Sequence, residues 1–272
     1  VAIKNTQFVA NASLNGSLLT LPYGDVRVAF GGEYRREKSA ENWDALTNAG
    51  QNSGNQTPDT VGSFNVKELF GEIDIPILKD LPFVNSLSLQ GAARYSDYST
   101  VGSTRAYQFN GIYAPIREIS LRGSYGRSVR APNIGEIFRP QTGSSNFFSD
   151  PCYIGNRTLG TQFRTANCQT LITGAGGNPT TFTAQNNPNA TIFIPGTQQG
   201  NPDLRAEVAR TWTAGVVVRP ISGLSIGLDW YDIRLRDAIN TPDANTIASL
   251  CVDQPTLDNA YCNAISRERG TG

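Results

Sequence analysis

Three groups of residues have types and spacings that could support chemistry. Glu68, Glu72 and Asp74 fall close together in "KELFGEIDIPI", with Arg94 and Arg122 in two later stretches of similar pattern. Arg127, Arg130 and Glu136 cluster in "SYGRSVRAPNIGEIF". Four cysteines form two local pairs, Cys152/Cys168 and Cys251/Cys262. Carboxylates spaced along one face could act as the acid and base of a glycoside hydrolase. Arginines could hold an anionic ligand or pair with nearby acids. However, the chain has no histidine, which removes the commonest general base and the commonest metal ligand. It has no phosphate-binding glycine loop or nucleotide fingerprint either. The carboxylates and arginines are therefore read as charges that hold a wet surface together, and no enzymatic activity, metal or cofactor is expected. The cysteine pairs sit in polar, turn-rich segments without CxxC spacing. That favours two loop-stapling disulfides and an oxidising compartment over metal ligation.

The elements that must position these residues alternate with period two. In "FVANASLNGSLL", Phe8, Ala10, Ala12, Leu14 and Leu18 share one face. In "VRVAFGGEYRR", Val26, Val28, Phe30 and Tyr34 oppose Arg27, Glu33 and Arg35. "KELFGEIDIPI" sets Leu69, Ile73 and Ile75 against Glu68, Glu72 and Asp74. The same pattern recurs in "LSLQGAARY", "AYQFNGIYAP", "SLRGSYG", "RTWTAGVVVRP" and "LSIGLDWYDIRLRDAI". Beyond Trp230 the apolar phase slips to Tyr231, Ile233 and Leu235, which a bulge or the end of an apolar zone would produce. The tail shows helical spacing at Ile247, Leu250 and Cys251, with Asp243 as a cap.

Eight strands in four hairpins are expected. Their connections alternate between short (21–25, 79–86, 115–118, 220–223) and longer (37–62, 97–103, 130–206, 239 onward). A transmembrane β-barrel has short turns at one rim and long loops at the other, whereas a soluble β-sandwich would also alternate but has no such asymmetry. Aromatics near the strand ends (Tyr34, Tyr95, Tyr113, Tyr125, Trp230) match interfacial girdles. The chain contains 23 Lys+Arg and 23 Asp+Glu, so its balance gives no sign of nucleic acid as a partner. It does not begin with methionine, and an internal piece of a longer chain or a processed product is the expectation.

Several stretches resemble the β-barrel of TonB-dependent receptors of the Gram-negative outer membrane. "LRGSYGRSVRAPNIGEIF" is similar to that family's strand-and-loop stretch, "GNPDLRAEVARTWTAGVVV" to a second, with Asn201, Pro202, Leu204 and Glu207 at the family's intervals, "LSIGLDWYDIRLRDAI" to the strand after it and "VRVAFGGEYRRE" to an earlier one. The resemblance implies an all-β, antiparallel, up-and-down transmembrane barrel portion, about eight strands of a barrel of about 22. Residues 1–272 would then be part of one barrel domain, with long extracellular loops at 37–62, 130–206 and 239–272, and with the plug and C-terminal strands absent.

The implied function is TonB-coupled uptake of a scarce, bulky nutrient, such as a ferric siderophore, a cobalamin-like compound or an oligosaccharide. Outer-membrane lipid, the nutrient and, through the plug, the TonB complex would be its partners. Trp43, Phe147, Phe148 and Tyr153 are the ligand-loop candidates. Arg94, Arg122, Glu68, Glu72 and Asp74 would line the lumen, and Arg127, Arg130 and Glu136 would anchor the rim. A secreted β-rich adhesin or structural protein with stapled loops is the competing reading.

Overall fold

The computed structural model describes residues 1–182 and 193–267. Residues 183–192 and 268–272, parts of the expected loops 130–206 and 239–272, lie outside the described residues. The chain divides into two compact units, a sheet unit (1–44, 58–140, 199–239) and a loop unit (45–57, 141–198, 240–272).

The sheet unit is built from β1 (Ala2–Leu21), β2 (Gly24–Asn42), β3 (Thr60–Leu81), β4 (Val84–Tyr98), β5 (Gly102–Ile116) and β6 (Ile119–Arg130). It is completed by β9 (Glu207–Val218) and β10 (Ile226–Arg236). These eight strands are antiparallel and ordered β1-β2-β3-β4-β5-β6-β9-β10. Two further short strands, β7 (Thr142–Phe147) and β8 (Phe193–Gln198), pair in the loop unit, within a stretch that shows no sustained period in the sequence, and the short α1 (Ala45–Ala49) belongs to the same unit. The sheet is therefore the meander expected from the alternating segments, and it is open: among the described residues β1 and β10 do not pair with each other.

Short turns join the strands at one rim. Pro22 and Tyr23 link β1 to β2, and Pro82 and Phe83 link β3 to β4. Gly24 at φ 138° and Gly223 at φ 83° occupy backbone conformations that glycine tolerates without steric cost. At the other rim β2 runs on to Asn42, beyond the expected start of its loop at residue 37, because Arg36↔Asn65 and Lys38↔Ser63 continue the ladder. The phase slip after Trp230 is not a bulge. β10 pairs with β9 without interruption from Ile226↔Val218 to Arg236↔Val208. The outward face simply turns polar at Asp232 and Arg234 while Tyr231, Ile233 and Leu235 continue the opposite face.

One face of the sheet is apolar and bare. Leu14, Leu18, Phe30, Leu69, Phe109, Trp212, Leu228 and Trp230 all belong to it, and Leu69 and Leu228 keep 67% and 72% of their surface. A soluble sheet packs such a face against a second layer, yet within the sheet unit none covers it. From Val26 to Tyr34 the face extends roughly 26 Å along the strand at about 3.3 Å per residue. With a tilt of about 40° that becomes a band of about 20 Å, close to the roughly 25 Å lipid-facing belt of a membrane barrel.

A charge placed on this face should be costly. Phe30→Arg, at the middle of the band, is expected to destabilise the protein folded into lipid vesicles by about 2–4 kcal/mol. Gln90→Arg on the opposite face should have a much smaller effect. Denaturant titration of the vesicle-bound protein measures both.

Candidate functional site

The other face of the sheet carries the polar residues, and register decides which of them meet. Glu68 is buried opposite Ser96 and accepts from its hydroxyl at 2.5 Å. Arg94, one pair further along β4, reaches Glu68 at 3.5 Å and lies over the Phe70 ring at 5.2 Å. Phe70 in turn covers Gly31, where an added Cβ would stand 2.7 Å from the ring. This glycine explains why an aromatic residue sits on a polar face.

Arg122 does not meet Glu68, Glu72 or Asp74. It forms a two-pronged ion pair with Asp229, Nε to Oδ1 at 2.8 Å and Nη2 to Oδ2 at 2.6 Å. The pair crosses β9, whose Gly215 stands between Arg122 and Asp229 in the ladder. A Cβ on Gly215 would lie 2.0 Å from the Asp229 carboxylate. Asp229 was not among the residues singled out from sequence. Its only signal there was a mid-strand glycine in "TAGVVV". Glu72 and Asp74 instead face an open groove of about 570 Å³, together with Arg27, Gln90, Gln108 and Asn110. Gln108 donates to Asn110 at 2.8 Å, so the groove presents amides and carboxylates in alternation, a hydrated wall with many hydrogen-bonding positions.

At the rim of β6 the arginines separate. Arg130 bonds Glu136 at 3.0 Å and Glu207 at 2.6 Å, and Glu207 also accepts the backbone N–H of Ile239 at 2.7 Å. Glu136 belongs to α2 (Ile134–Phe138), where it completes a capping box with Asn133. One guanidinium thus ties the end of β6 to α2, to the start of β9 and to the chain leaving β10. Arg127 points to the apolar side and donates to the Arg105 carbonyl. α2 approaches β3 closely because Gly62 lacks a side chain; a Cβ there would be 2.5 Å from the Phe138 ring.

The loop unit has its own small core of Cys152, Cys168, Ile172, Phe182, Cys251 and Val252. Cys152–Cys168 and Cys251–Cys262 are disulfide-bonded, at S–S distances of 2.04 and 2.12 Å. α3 (Arg164–Gly174) carries Cys168, and α4 (Ala244–Val252) carries Cys251. The short α5 (Ala260–Asn263) carries Cys262. Arg164 of α3 grips Asp253, just past α4, with Nε to Oδ1 at 2.8 Å. Arg267 holds the buried Asp150 at 2.6 and 2.8 Å. The Arg164 hydrogen bond holds the Asp253 carboxyl below its ordinary range. Asp243 caps α4 and is lowered by the Thr246 backbone N–H.

The ligand-loop candidates fall in both units, Phe147, Phe148 and Tyr153 in the loop unit and Trp43 in the sheet unit. Phe147 is exposed and Tyr153 half-buried. Phe148 is 9% exposed and packs toward the interior. Trp43 belongs to the sheet unit, where its backbone N–H donates to Asp59 at 2.8 Å. Alternation separates Phe147 from Phe148, since neighbours in an extended chain point opposite ways.

A model of the family described as TonB dependent receptor-like, beta-barrel, matches residues 3–270. No functionally curated protein matches the sequence. Among solved structures, the ferric enterobactin receptor PfeA of Pseudomonas aeruginosa superposes with a TM-score of 0.55 at 17% identity, over 86% of this chain and 27% of that one. The siderophore receptor PirA of Acinetobacter baumannii gives 0.53 at 13% identity, over 87% and 27%. PirA of Pseudomonas aeruginosa gives 0.50 at 15%, over 84% and 32%. The chain thus spans roughly a quarter to a third of the length of these relatives, and at such identities the likeness is one of fold.

Two outcomes follow for the loop unit. Replacing Cys152 and Cys168 by serine opens a loop of 16 residues, a loss of about 3 kcal/mol in the chain-entropy account; limited proteolysis should then cut within 141–198 much faster. Asp253 has a depressed folded pKa, so its ion pair contributes fully above the ordinary carboxylate range and is lost as pH falls through the folded value. Protection from proteolysis by an acid-tolerant protease should therefore drop in that acidic window. Asp253→Asn should lower it already at neutral pH and shrink the acid-induced loss.

Proposed function

Because this chain belongs to the TonB-dependent receptor β-barrel family, we propose that it forms part of an outer-membrane receptor that imports a scarce, bulky nutrient by TonB-coupled transport. The observation that carries this reading is the division of one sheet into two faces. The first is a bare apolar band bordered by Tyr34, Tyr95, Tyr125 and Trp230. The second is a polar wall of carboxylates, amides and paired arginines. A sheet with that division suits a bilayer on one side and a hydrated passage on the other.

The ligand favoured is a ferric siderophore. Support comes from the structural relatives, two of which are siderophore receptors and one a ferric enterobactin receptor. A cobalamin-like compound and an oligosaccharide are the other ligands the family resemblance implies. The loop unit, with its two disulfides and exposed Phe147, supplies the surface we assign to first contact, at the extracellular side. The wall Arg27–Glu72–Asp74–Gln90 would face the plug and the passing ligand. No catalytic step is assigned to any residue. A secreted, soluble adhesin is disfavoured by the same bare face, since exposed apolar patches of that extent drive association in water.

The decisive experiment is growth of the source bacterium with a ferric siderophore as the sole iron source. Deleting the gene, or the gene for the energy-coupling protein, should each abolish growth on that source and spare growth on iron salts. Growth unchanged by both deletions for siderophores, cobalamin and oligosaccharides alike would overturn the transport reading.

A further inference from the structure

Toward the long-connection rim, the apolar face changes in the same way on nearly every strand. On β2 Tyr34 is followed outward by Arg36, on β5 Tyr107 by Arg105, on β6 Tyr125 by Arg127, and on β9 Trp212 by Arg210. β3 places Lys67 beyond Leu69, and β10 places Arg234 beyond Trp230 and Asp232. At the turn rim the equivalent outward positions are Val26, Leu87, Tyr113, Val218 and Ile226, and none is a cation.

Register makes the cationic rim an electrostatic problem within the protein. Arg127 stands opposite Arg210, and Arg210 opposite Arg234, three arginines side by side on adjacent strands. Like charges directly opposed across a ladder destabilise a sheet. Asp232 bonds Arg234 at 3.1 Å, Arg127 spends one nitrogen on the Arg105 carbonyl, and among the described residues Arg36, Lys67, Arg105 and Arg210 form no ion pair. Asp97 stands opposite Lys67 on the same face, so the uncompensated charge centres on Arg127 and Arg210; an external anion would relieve it, and its place is set by what lies next to it. The arginines border an aromatic belt, and the belt borders the hydrocarbon-facing band.

We propose that this row binds the phosphate groups of anionic lipid headgroups in the leaflet at the long-connection rim, with Arg127, Arg210 and Arg234 at its centre. The inference rests on the membrane reading above. Guanidinium groups suit this ligand because their planar fork matches phosphate oxygens two at a time. The asymmetry between the rims also gives the protein a preferred orientation relative to the more anionic leaflet.

The test uses the protein in its natural length, inserted into phosphatidylcholine vesicles containing trace spin-labelled lipid. Association of spin-labelled phosphatidylglycerol with the protein surface is compared with that of spin-labelled phosphatidylcholine by electron paramagnetic resonance. At low salt we expect a preference for phosphatidylglycerol of about fivefold or more, the size of one cation's attraction to an anionic surface, falling toward unity at about 0.5 M salt. R127Q/R210Q/R234Q should abolish the preference and R127K/R210K/R234K retain much of it, with both variants showing the same strand content. An unmodified protein with no preference, or one unaffected by salt, overturns the proposal even if the glutamine variant fails to fold. So does a preference that survives in a folded glutamine variant. Failure of the unmodified protein to insert at all would instead overturn the membrane reading, and this proposal with it.

Discussion

Hydrocarbon offers no hydrogen bonds, so every backbone N–H and C=O that meets it must be paired inside the protein. The rest of the sheet follows from that requirement. It is why strands of 11 to 22 residues from β1 to β10 form one ladder, with register shifts only toward the turn rim at Ser17/Leu19, Pro76/Leu78 and Tyr113/Ile116, and why β10 keeps register through the point where its apolar phase changes. It also explains why the apolar side needs no second layer: lipid takes the place of one. The charged residues then have only the opposite face and the rims to occupy, and register decides their partners.

Within that frame glycine does specific work at three places. Gly31 admits the Phe70 ring, Gly62 admits α2, and Gly215 leaves the gap through which Arg122 and Asp229 meet. Each is a position where a side chain would collide with a contact that organises the polar face. The rim is organised differently, by Arg130, which joins four chain segments through two carboxylates and, via Glu207, a backbone N–H. The loop unit depends on neither arrangement. It is held by two disulfides and by the Arg164–Asp253 and Arg267–Asp150 pairs, as suits a unit whose core is a handful of side chains.

The strands were legible because period two is a local property: each of the eight in the main sheet could be found from its own residues. So could the α4 cap at Asp243, which needs only the next few residues. What was hidden depends on neighbours distant in sequence. Asp229 lies 107 residues from Arg122, and no spacing rule connects them. The cationic row on the apolar face is invisible until β6, β9 and β10 are set in register, because each strand alone shows only arginines near its end. Part of the loop unit was hidden for another reason. Its β7–β8 pair spans 56 residues from Thr142 to Gln198, and α3 shows no apolar stripe.

The central claim, that the apolar face meets lipid hydrocarbon, can be measured with the protein's own fluorophores. Of its three tryptophans, Trp212 and Trp230 lie on that face and Trp43 does not belong to the band. In variants that retain a single tryptophan, vesicles of lipid brominated along the acyl chain should strongly quench Trp212 and Trp230 and leave Trp43 bright. Quenching of Trp212 and Trp230 by aqueous iodide, with none by brominated chains, would contradict the account.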